Sequence, residues 1–250
     1  MPELERWVLH RIWELDKLVR DSCENFEFHT IYTEIHNFCA LDLSAFYLDI
    51  RKDCLYCDTA DNMTRRASRT ILNEIFKYLT AWCAPFICFT AEEAWLAHFG
   101  NESTNNSVHL RKFPSPSNEW CDHTLFSKWT KIRTVRRVVT GALEIERAEK
   151  RIGSSLEAHP TVYTTSENID LFDKLSPAEI FITSNATLTS NKAPSNAFVI
   201  EDIKNIAVLS KRSTDTKCSR CYQFRSDVGK LTDHPSVCIR CAKASSAYNG

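Results

Sequence analysis

The sequence is poor in glycine and in long apolar runs, and each scarcity excludes a class of protein. Only five glycines are scattered among 250 residues, so no glycine-rich phosphate loop is present to cradle a nucleotide. No stretch reaches the about 18 consecutive apolar residues that a membrane span needs. The opening MPELERWVLHR alternates charged and apolar residues and lacks the apolar core of a secretory signal. We therefore expect a soluble, cytoplasmic protein that contacts no membrane.

Cysteine is plentiful, with eleven residues, and in a cytosol-like compartment these are expected to be reduced thiols or metal ligands. Two Cys-x-x-Cys pairs, Cys218 with Cys221 and Cys238 with Cys241, flank the segment 222–237 at the spacing of a structural zinc site. Four thiolates at about 2.3 Å complete a tetrahedron and leave no position for water, so we predict one structural zinc ion. A redox dithiol or incidental pairs are the alternative, which two pairs in register disfavour.

Other candidate ligands are interpreted as structural. A third Cys-x-x-Cys, Cys54 with Cys57, has no second pair within the usual reach, so we interpret it as incidental. His29 and His36 lack acidic or thiol partners at ligand spacing, so they are interpreted as hydrogen-bonded helix residues. No catalytic residues are predicted.

Positive charge is concentrated near the cysteine pairs, although the net charge is only -1. Between Lys204 and Lys243 nine basic residues stand against three acidic ones, a local charge of +6. A zinc ion with four thiolates lowers this sum to +4 and leaves the region basic. Such a basic module favours nucleic acid as a partner, and a merely solvated charged face is the alternative.

Hydrophobic periodicity predicts a mainly α fold: a helical bundle, a long helix, a small α/β unit and a four-cysteine zinc knuckle pair. The first bundle helix shows apolar residues at Leu4, Val8, Ile12, Leu15 and Val19. The expected domains are the bundle at 1–121, the long basic helix and junction at 122–158, the α/β unit at 159–210 and the zinc finger at 211–250.

Local signals predict the element boundaries. We expect a helix over 30–50, a polar turn over 51–62, a helix over 63–84 ended by Pro85, and a loop or linker over 101–121. Thr90 and Glu93 are expected to form a capping box. The long helix is expected to end near Arg151. A short helix is expected at 168–174, and strands are expected at 161–164, 179–183, 197–200 and 206–209.

Several stretches resemble bacterial isoleucyl-tRNA synthetases, and the likeness covers nearly the whole chain. The terminal knuckles resemble the carboxy-terminal zinc finger of that family, and 135–158 is similar to the junction that follows its anticodon-binding helical domain. The knuckle type also occurs in some DNA-repair glycosylases, which the other stretches disfavour. The stretches that resemble the anticodon-binding helical domain are LERWVLHRIWELD (4–16), NFCALDLSAFYLDIRKDCLYCD (37–58) and LTAWCAPFICFTAEEAWL (79–96).

The resemblance implies binding of the anticodon stem-loop of an isoleucine tRNA by a ligase that joins isoleucine to its tRNA with ATP. The H-I-G-H and K-M-S-K-S sequences of class I catalytic domains do not occur, and LSKRS at 209–213 is only superficially similar to the second. We therefore expect a non-catalytic, monomeric C-terminal portion, either a fragment or one product of a split gene. ATP would bind only the absent catalytic domain, supplied in cis or in trans.

Basic and aromatic residues on the long helix and around the knuckles are the candidates for tRNA contact, because guanidinium groups grip phosphates and aromatic rings stack on bases. Each also has a plain structural reading, as a solvated charge or as packing beneath a knuckle. A stand-alone zinc-dependent RNA-binding protein, or an interaction module whose basic helix docks on protein, are the alternative functions. The predicted phosphate contacts are Arg133, Arg136, Arg137, Arg151 and Lys217, and the predicted contacts near bases are Arg220, Tyr222, Arg225 and Arg240.

Overall fold

The computed structural model describes residues 1–100 and 106–248. It confirms a mainly helical fold with a small sheet. Residues 101–105 of the expected linker lie outside the described part of the chain. The helices are α1 (Glu3–Glu24), α2 (Phe28–Asn37), α3 (Asp49–Cys57), α4 (Met63–Cys83), α5 (Cys88–Phe99), α6 (His123–Ala148), α7 (Ser166–Asp170), α8 (Pro177–Phe181) and α9 (Ile239–Tyr248), with a π-helical stretch, Phe38–Leu48, between α2 and α3.

The chain divides into two compact units. The first unit comprises Met1–Leu48 and Asp61–His123, and the second comprises Asp49–Ala60 and Thr124–Gly250. The segment 49–60, which the sequence analysis placed in the bundle, therefore packs with the second unit. No helix within residues 1–100 and 106–248 combines the length and the apolar character that crossing a bilayer requires.

The first unit is a helical bundle built around the apolar face of α1. The period of that face is the predicted one, since Leu4, Val8, Ile12, Leu15 and Val19 are all buried. Two carboxylates are buried with them and are hydrogen-bonded. The Glu5 carboxylate accepts from Tyr47 at 3.3 Å and Ser68 at 3.0 Å, and the Asp16 carboxylate accepts from the Trp82 indole at 3.1 Å. Buried acidic groups are tolerated because these donors replace water.

Two boundary predictions in this region are wrong. The helical backbone continues through Cys57, so the expected turn at 51–62 shrinks to the few residues before Asn62, whose side chain caps α4. Ile50, Cys54 and Cys57 are buried at helical spacing, and the two cysteines serve as the small apolar residues of that face. The helix α5 begins at Cys88 without a side-chain cap, so Thr90 lies inside it. The helix ends at Phe99, and Gly100 follows it with a φ of +84°.

The second unit combines the long helix α6 with a small sheet. Its strands are β1 (Ala158–Thr164), β2 (Thr187–Thr189), β3 (Ile206–Arg212), β4 (Thr216–Lys217) and β5 (Phe224–Arg225). The central strand β1 pairs in parallel with β2 and antiparallel with β3, with Val162 opposite Leu188 on one side and Val208 on the other. A second sheet pairs β4 with β5 antiparallel.

The predicted strand at 179–183 is wrong, because this segment contains α8. Ser176 accepts a hydrogen bond from the Glu179 amide, and Pro177 occupies the first helical position, which together are a helix start signal. The predicted strand at 197–200 is reduced to a single bridge from Phe198 to Val208. Phe198 packs closely on α6, since a Cβ atom at Gly141 would stand 2.9 Å from its ring.

Candidate metal centre and nucleic-acid interface

The two Cys-x-x-Cys turns meet in the second unit and form one cysteine cage (Cys218, Cys221, Cys238 and Cys241). The first pair follows β4, and the second opens α9. Each turn is closed by a backbone hydrogen bond, from Tyr222 N–H to the Cys218 carbonyl at 3.0 Å and from Ala242 N–H to the Cys238 carbonyl at 2.9 Å. The four sulfur atoms all lie within 4.8 Å of one another. The cage residues are at most 5% exposed.

The cage has the dimensions of a closed tetrahedral metal site. Four sulfurs at about 2.3 Å from one ion stand roughly 3.8 Å apart in a tetrahedron. The Cys221 and Cys238 sulfurs are 3.9 Å apart. The backbone N–H of Cys238 also donates to the Cys218 sulfur at 3.3 Å, which favours a thiolate there. The four cysteines can therefore hold a metal ion and leave no open coordination position.

The pKa values of the cage thiols indicate that a bound cation is needed to keep all four of them ionised. Burial acts to raise the pKa of Cys218, but backbone N–H groups of Cys221, Cys238 and Arg220 together lower it to about 6. A hydrogen bond with Cys241, together with burial, instead raises the pKa of Cys221. Burial likewise raises the pKa of Cys238. Four thiolates this close repel one another, so full ionisation requires a bound cation.

A fifth thiol lies against the cage, and it comes from the pair that the sequence analysis interpreted as incidental. Cys57 is buried in the same cluster as the four cage cysteines. A hydrogen bond with Cys241 is the main cause that lowers the pKa of Cys57. Cys54 points elsewhere, and its thiol donates to the Arg51 carbonyl at 3.3 Å. The cage sulfurs complete four ligands without either residue, so Cys57 acts as a neighbour of the site.

Two of the predicted tRNA contacts, Arg220 and Arg240, are turned toward α3. Arg240 makes a bidentate ion pair with Asp53, one arm of which measures 2.8 Å, and reaches Asp58 at 3.2 Å. Arg220 donates to the carbonyls of Cys57 at 2.6 Å and Tyr56 at 3.2 Å. The sequence alone gave no indication of these acceptors, because Asp58 and Asp53 lie 182 and 187 positions from Arg240 and no local spacing connects them.

Tyr222 and Lys217 lie on the outer surface of the cage. The Tyr222 side chain is 58% exposed, although its backbone is fixed immediately after Cys221. Its φ of +62° is in the left-handed region, a backbone conformation that is unfavourable in free energy for an L-residue with a bulky side chain. The Lys217 ammonium lies 5.4 Å from the centroid of the Tyr222 ring. Arg225 pairs with Gln223 at 3.1 Å and with Asp227 at 3.4 Å.

The predicted arginines of α6 and its end differ in their surroundings. Arg137 is exposed and Arg133 is half-buried, and their four-residue spacing places them on one face of the helix. Arg136 pairs with Asp49 at 3.4 Å, and its burial lowers its pKa. Arg151 binds both oxygens of the Glu146 carboxylate, at 2.7 and 2.8 Å.

A second group of ligand-type side chains lies in the first unit. His10, Glu14 and His123 also place one ligand atom each within 4.8 Å of the others. The buried His10 ring, however, accepts a hydrogen bond at Nδ1 from the Asp122 backbone N–H, at 2.9 Å. A neutral ring in this bond carries its proton on Nε2, which points to Glu14 at 3.4 Å. This tautomer offers no Nε2 lone pair to a metal.

Comparison with known protein families matches most of the chain to one of them. A family model described as the anticodon-binding domain of tRNA ligase matches residues 5–162. That range includes α3 and all of α6, and therefore Arg133, Arg136, Arg137 and Arg151. The cysteine cage lies beyond it.

Curated relatives match nearly the whole length, including the cage. An isoleucine--tRNA ligase of Brucella abortus biovar 1 (strain 9-941) is 47% identical over 246 residues, which is 98% of this chain and 25% of that protein. Proteins of the same name from Bartonella henselae and Agrobacterium fabrum are each 45% identical, again over 98% of this chain and 25% of their own lengths. The chain thus spans about a quarter of the relatives it matches. Because the family model covers well over half of its residues, the chain belongs to the anticodon-binding domain family of tRNA ligases.

Proposed function

We propose that this chain is the part of an isoleucine–tRNA ligase that binds the anticodon stem-loop. The observation that carries the proposal is the exposed Tyr222 ring, which follows the first Cys-x-x-Cys turn of the cage and lies beside Lys217. Loop bases of RNA can be splayed out and stacked on aromatic rings, and a neighbouring cation attracts the backbone phosphates. The names of the relatives support isoleucine tRNA as the ligand.

We propose that the cage ion is zinc and that its role is structural. Four thiolates favour zinc among common metal ions, and a closed tetrahedron has no position for a reacting water. The bound ion would neutralise the crowded thiolates and fix the turn on which Tyr222 lies. Such a thiolate site agrees with a reducing cytoplasmic location, which we also propose.

We propose a division of labour on the RNA. Arg133 and Arg137 on α6, with Lys217, would contact phosphates, and Tyr222 with Arg225 would approach the bases. Arg136 and Arg151, which pair with Asp49 and Glu146, would also contact phosphates. Joining isoleucine to the tRNA with ATP would belong to a catalytic domain outside these 250 residues, in a protein that works as a monomer.

The test is direct binding of the whole chain, loaded with zinc, to an isoleucine tRNA transcript and to an unrelated tRNA of the same length. We expect tighter binding to the isoleucine tRNA and a steep loss of affinity between about 50 and about 200 mM salt. Equal affinity for both tRNAs, with the same salt dependence, would instead indicate a general RNA-binding protein. No binding at low salt would indicate a protein interaction module and overturn the proposal.

A further inference from the structure

The two Cys-x-x-Cys turns carry an arginine at the same place. Arg220 immediately precedes Cys221, and Arg240 immediately precedes Cys241. Each arginine is held in place at the cage because the next residue is one of the cage cysteines. Both guanidinium groups then reach one short stretch, the C-terminal turn of α3 and the residue after it. Two turns that are about twenty positions apart thus grip the same segment.

Arg220 supplies the hydrogen bonds that the end of α3 lacks. The last four carbonyls of a helix have no partner within it, and the negative end of the helix dipole lies there. Tyr56 and Cys57 are the final residues of α3, and both of their carbonyls accept from Arg220. Arg220 is therefore a helix cap that comes from 163 positions further along the chain. A cation is favoured at this position for the same reason.

Arg240 supplies the opposite charge for the carboxylates of the segment. Its bidentate bond to Asp53 and its contact with Asp58 are charge-assisted hydrogen bonds, which are the strong kind. The guanidinium thus links two carboxylates of this segment to the knuckle turn that carries Cys238 and Cys241.

We propose that Arg220 and Arg240 are positioning residues that lock the cysteine cage onto the C-terminal turn of α3. Loss of the metal would loosen both knuckle turns and release this turn of the helix. The inference depends on metal binding at the cage and does not require that the chain bind tRNA. It assigns these two arginines an internal role in place of contact with bases.

Hydrogen exchange on the whole chain tests the lock. With one zinc per chain, we expect the amides of residues 54–58 to exchange at least about tenfold faster in Arg240→Met than in the unchanged protein, because charge-assisted bonds are lost. Removing zinc with a chelator should produce the same acceleration in the unchanged protein. Arg225→Met is the matched control, since Arg225 lies in the same module and pairs with Asp227, and it should leave this exchange unchanged.

Asp53→Asn keeps the test decisive if Arg240→Met lowers the metal content. Asp53 is on α3, away from the knuckle turns, and its loss should accelerate the same amides with zinc still bound at one per chain. The double variant should exchange no faster than Arg240→Met alone, because Arg240→Met already removes the bond to Asp53 together with the contact to Asp58. Unchanged exchange in Asp53→Asn with zinc bound would overturn the proposal.

Binding of isoleucine tRNA separates positioning from direct contact. If Arg240 positions the module, Asp53→Asn and Arg240→Met should weaken binding by similar factors. If Arg240 instead touches RNA, only Arg240→Met should weaken it, and the assignment would be wrong. Should the chain bind no tRNA at all, the exchange experiment still decides the lock, so the two proposals fail separately.

Discussion

The cysteine cage and the His10–Glu14–His123 cluster both bring their ligand atoms close together, yet in the second cluster one of those atoms has no lone pair to give a metal. Both groups fit within 4.8 Å. The Cys221 and Cys238 sulfurs are 3.9 Å apart, as in a tetrahedral thiolate site, whereas His10 accepts the Asp122 amide at Nδ1, so its Nε2 carries the ring proton and offers a metal no lone pair. Proximity of ligand residues is therefore insufficient, and the hydrogen bonds of each ligand atom decide whether a metal can bind.

The largest expected effect comes from removing one cage thiol. Cys238→Ser replaces a thiolate by a hydroxyl that does not ionise, so we expect less than half a zinc per chain and loss of protease resistance after about residue 211. Structural zinc contributes about 10–16 kcal/mol in small zinc-binding peptides, so the folded turns should not survive its loss. Metal analysis and limited proteolysis measure both results.

Cys57→Ala is the matched control for that variant, because Cys57 lies in the same buried cluster without being one of the four ligands. It should retain one zinc per chain. Loss of zinc in Cys57→Ala, or full zinc content in Cys238→Ser, would show that the ligand set has been assigned wrongly.

The next largest effect separates metal binding by the cage from RNA binding by the Tyr222 ring. Tyr222→Gly removes the ring and also the left-handed strain of about 1–2 kcal/mol, so zinc content should stay at one per chain and the thermal midpoint should not fall. Affinity for isoleucine tRNA should fall about tenfold to a hundredfold, the scale of one lost base stack. Tyr222→Phe, which keeps the ring, should bind almost normally. Unchanged binding by Tyr222→Gly would exclude the stack.

Some features of this fold could be predicted from the sequence, and others could not. The cage was predictable because two short turns at a fixed separation suffice for it, and α1 and α6 were predictable because their apolar period is long. The extension of α3 to Cys57 was not, since cysteines near charged residues look like a polar turn. The short strand β2 was also missed, because three residues carry too little pattern.

The contacts of Arg220 and Arg240 lie beyond the reach of periodicity. They join positions 163 and 187 apart, and such pairs depend on how the second unit closes. The same holds for His10, whose partner Asp122 is 112 positions away. Local pattern specifies elements and turn-based sites, whereas pairing between distant segments requires the packed structure.

A smaller effect concerns the pH dependence of the first unit. Burial lowers the pKa of His10 below its ordinary value of 6.5; His123 and Arg11 act in the same direction, while Glu14 and Asp122 oppose them. Below pH 6.5 the unfolded chain therefore takes up a proton that the folded chain refuses. Stability is full above this value and falls as pH drops through it toward the lowered pKa, by at most about 1.4 kcal/mol per pH unit.

Urea unfolding at about pH 8 and about pH 5.5 measures this dependence. His10→Gln retains an acceptor for the Asp122 amide and does not titrate, so the difference between the two pH values should shrink. The exposed His36 is the control, and His36→Gln should leave the difference unchanged. A larger difference in His10→Gln would contradict the assigned direction.

The last prediction is that the His10–Glu14–His123 cluster binds no zinc. Adding zinc beyond one equivalent should leave the hydrogen exchange of α1 and the thermal midpoint of the first unit unchanged, because the His10 tautomer has no lone pair on Nε2. His123→Ala should likewise leave the metal content at one per chain, while Cys238→Ser lowers it. A second equivalent that is lost in His123→Ala would show that zinc can displace the Asp122 hydrogen bond and that the two clusters are equivalent after all.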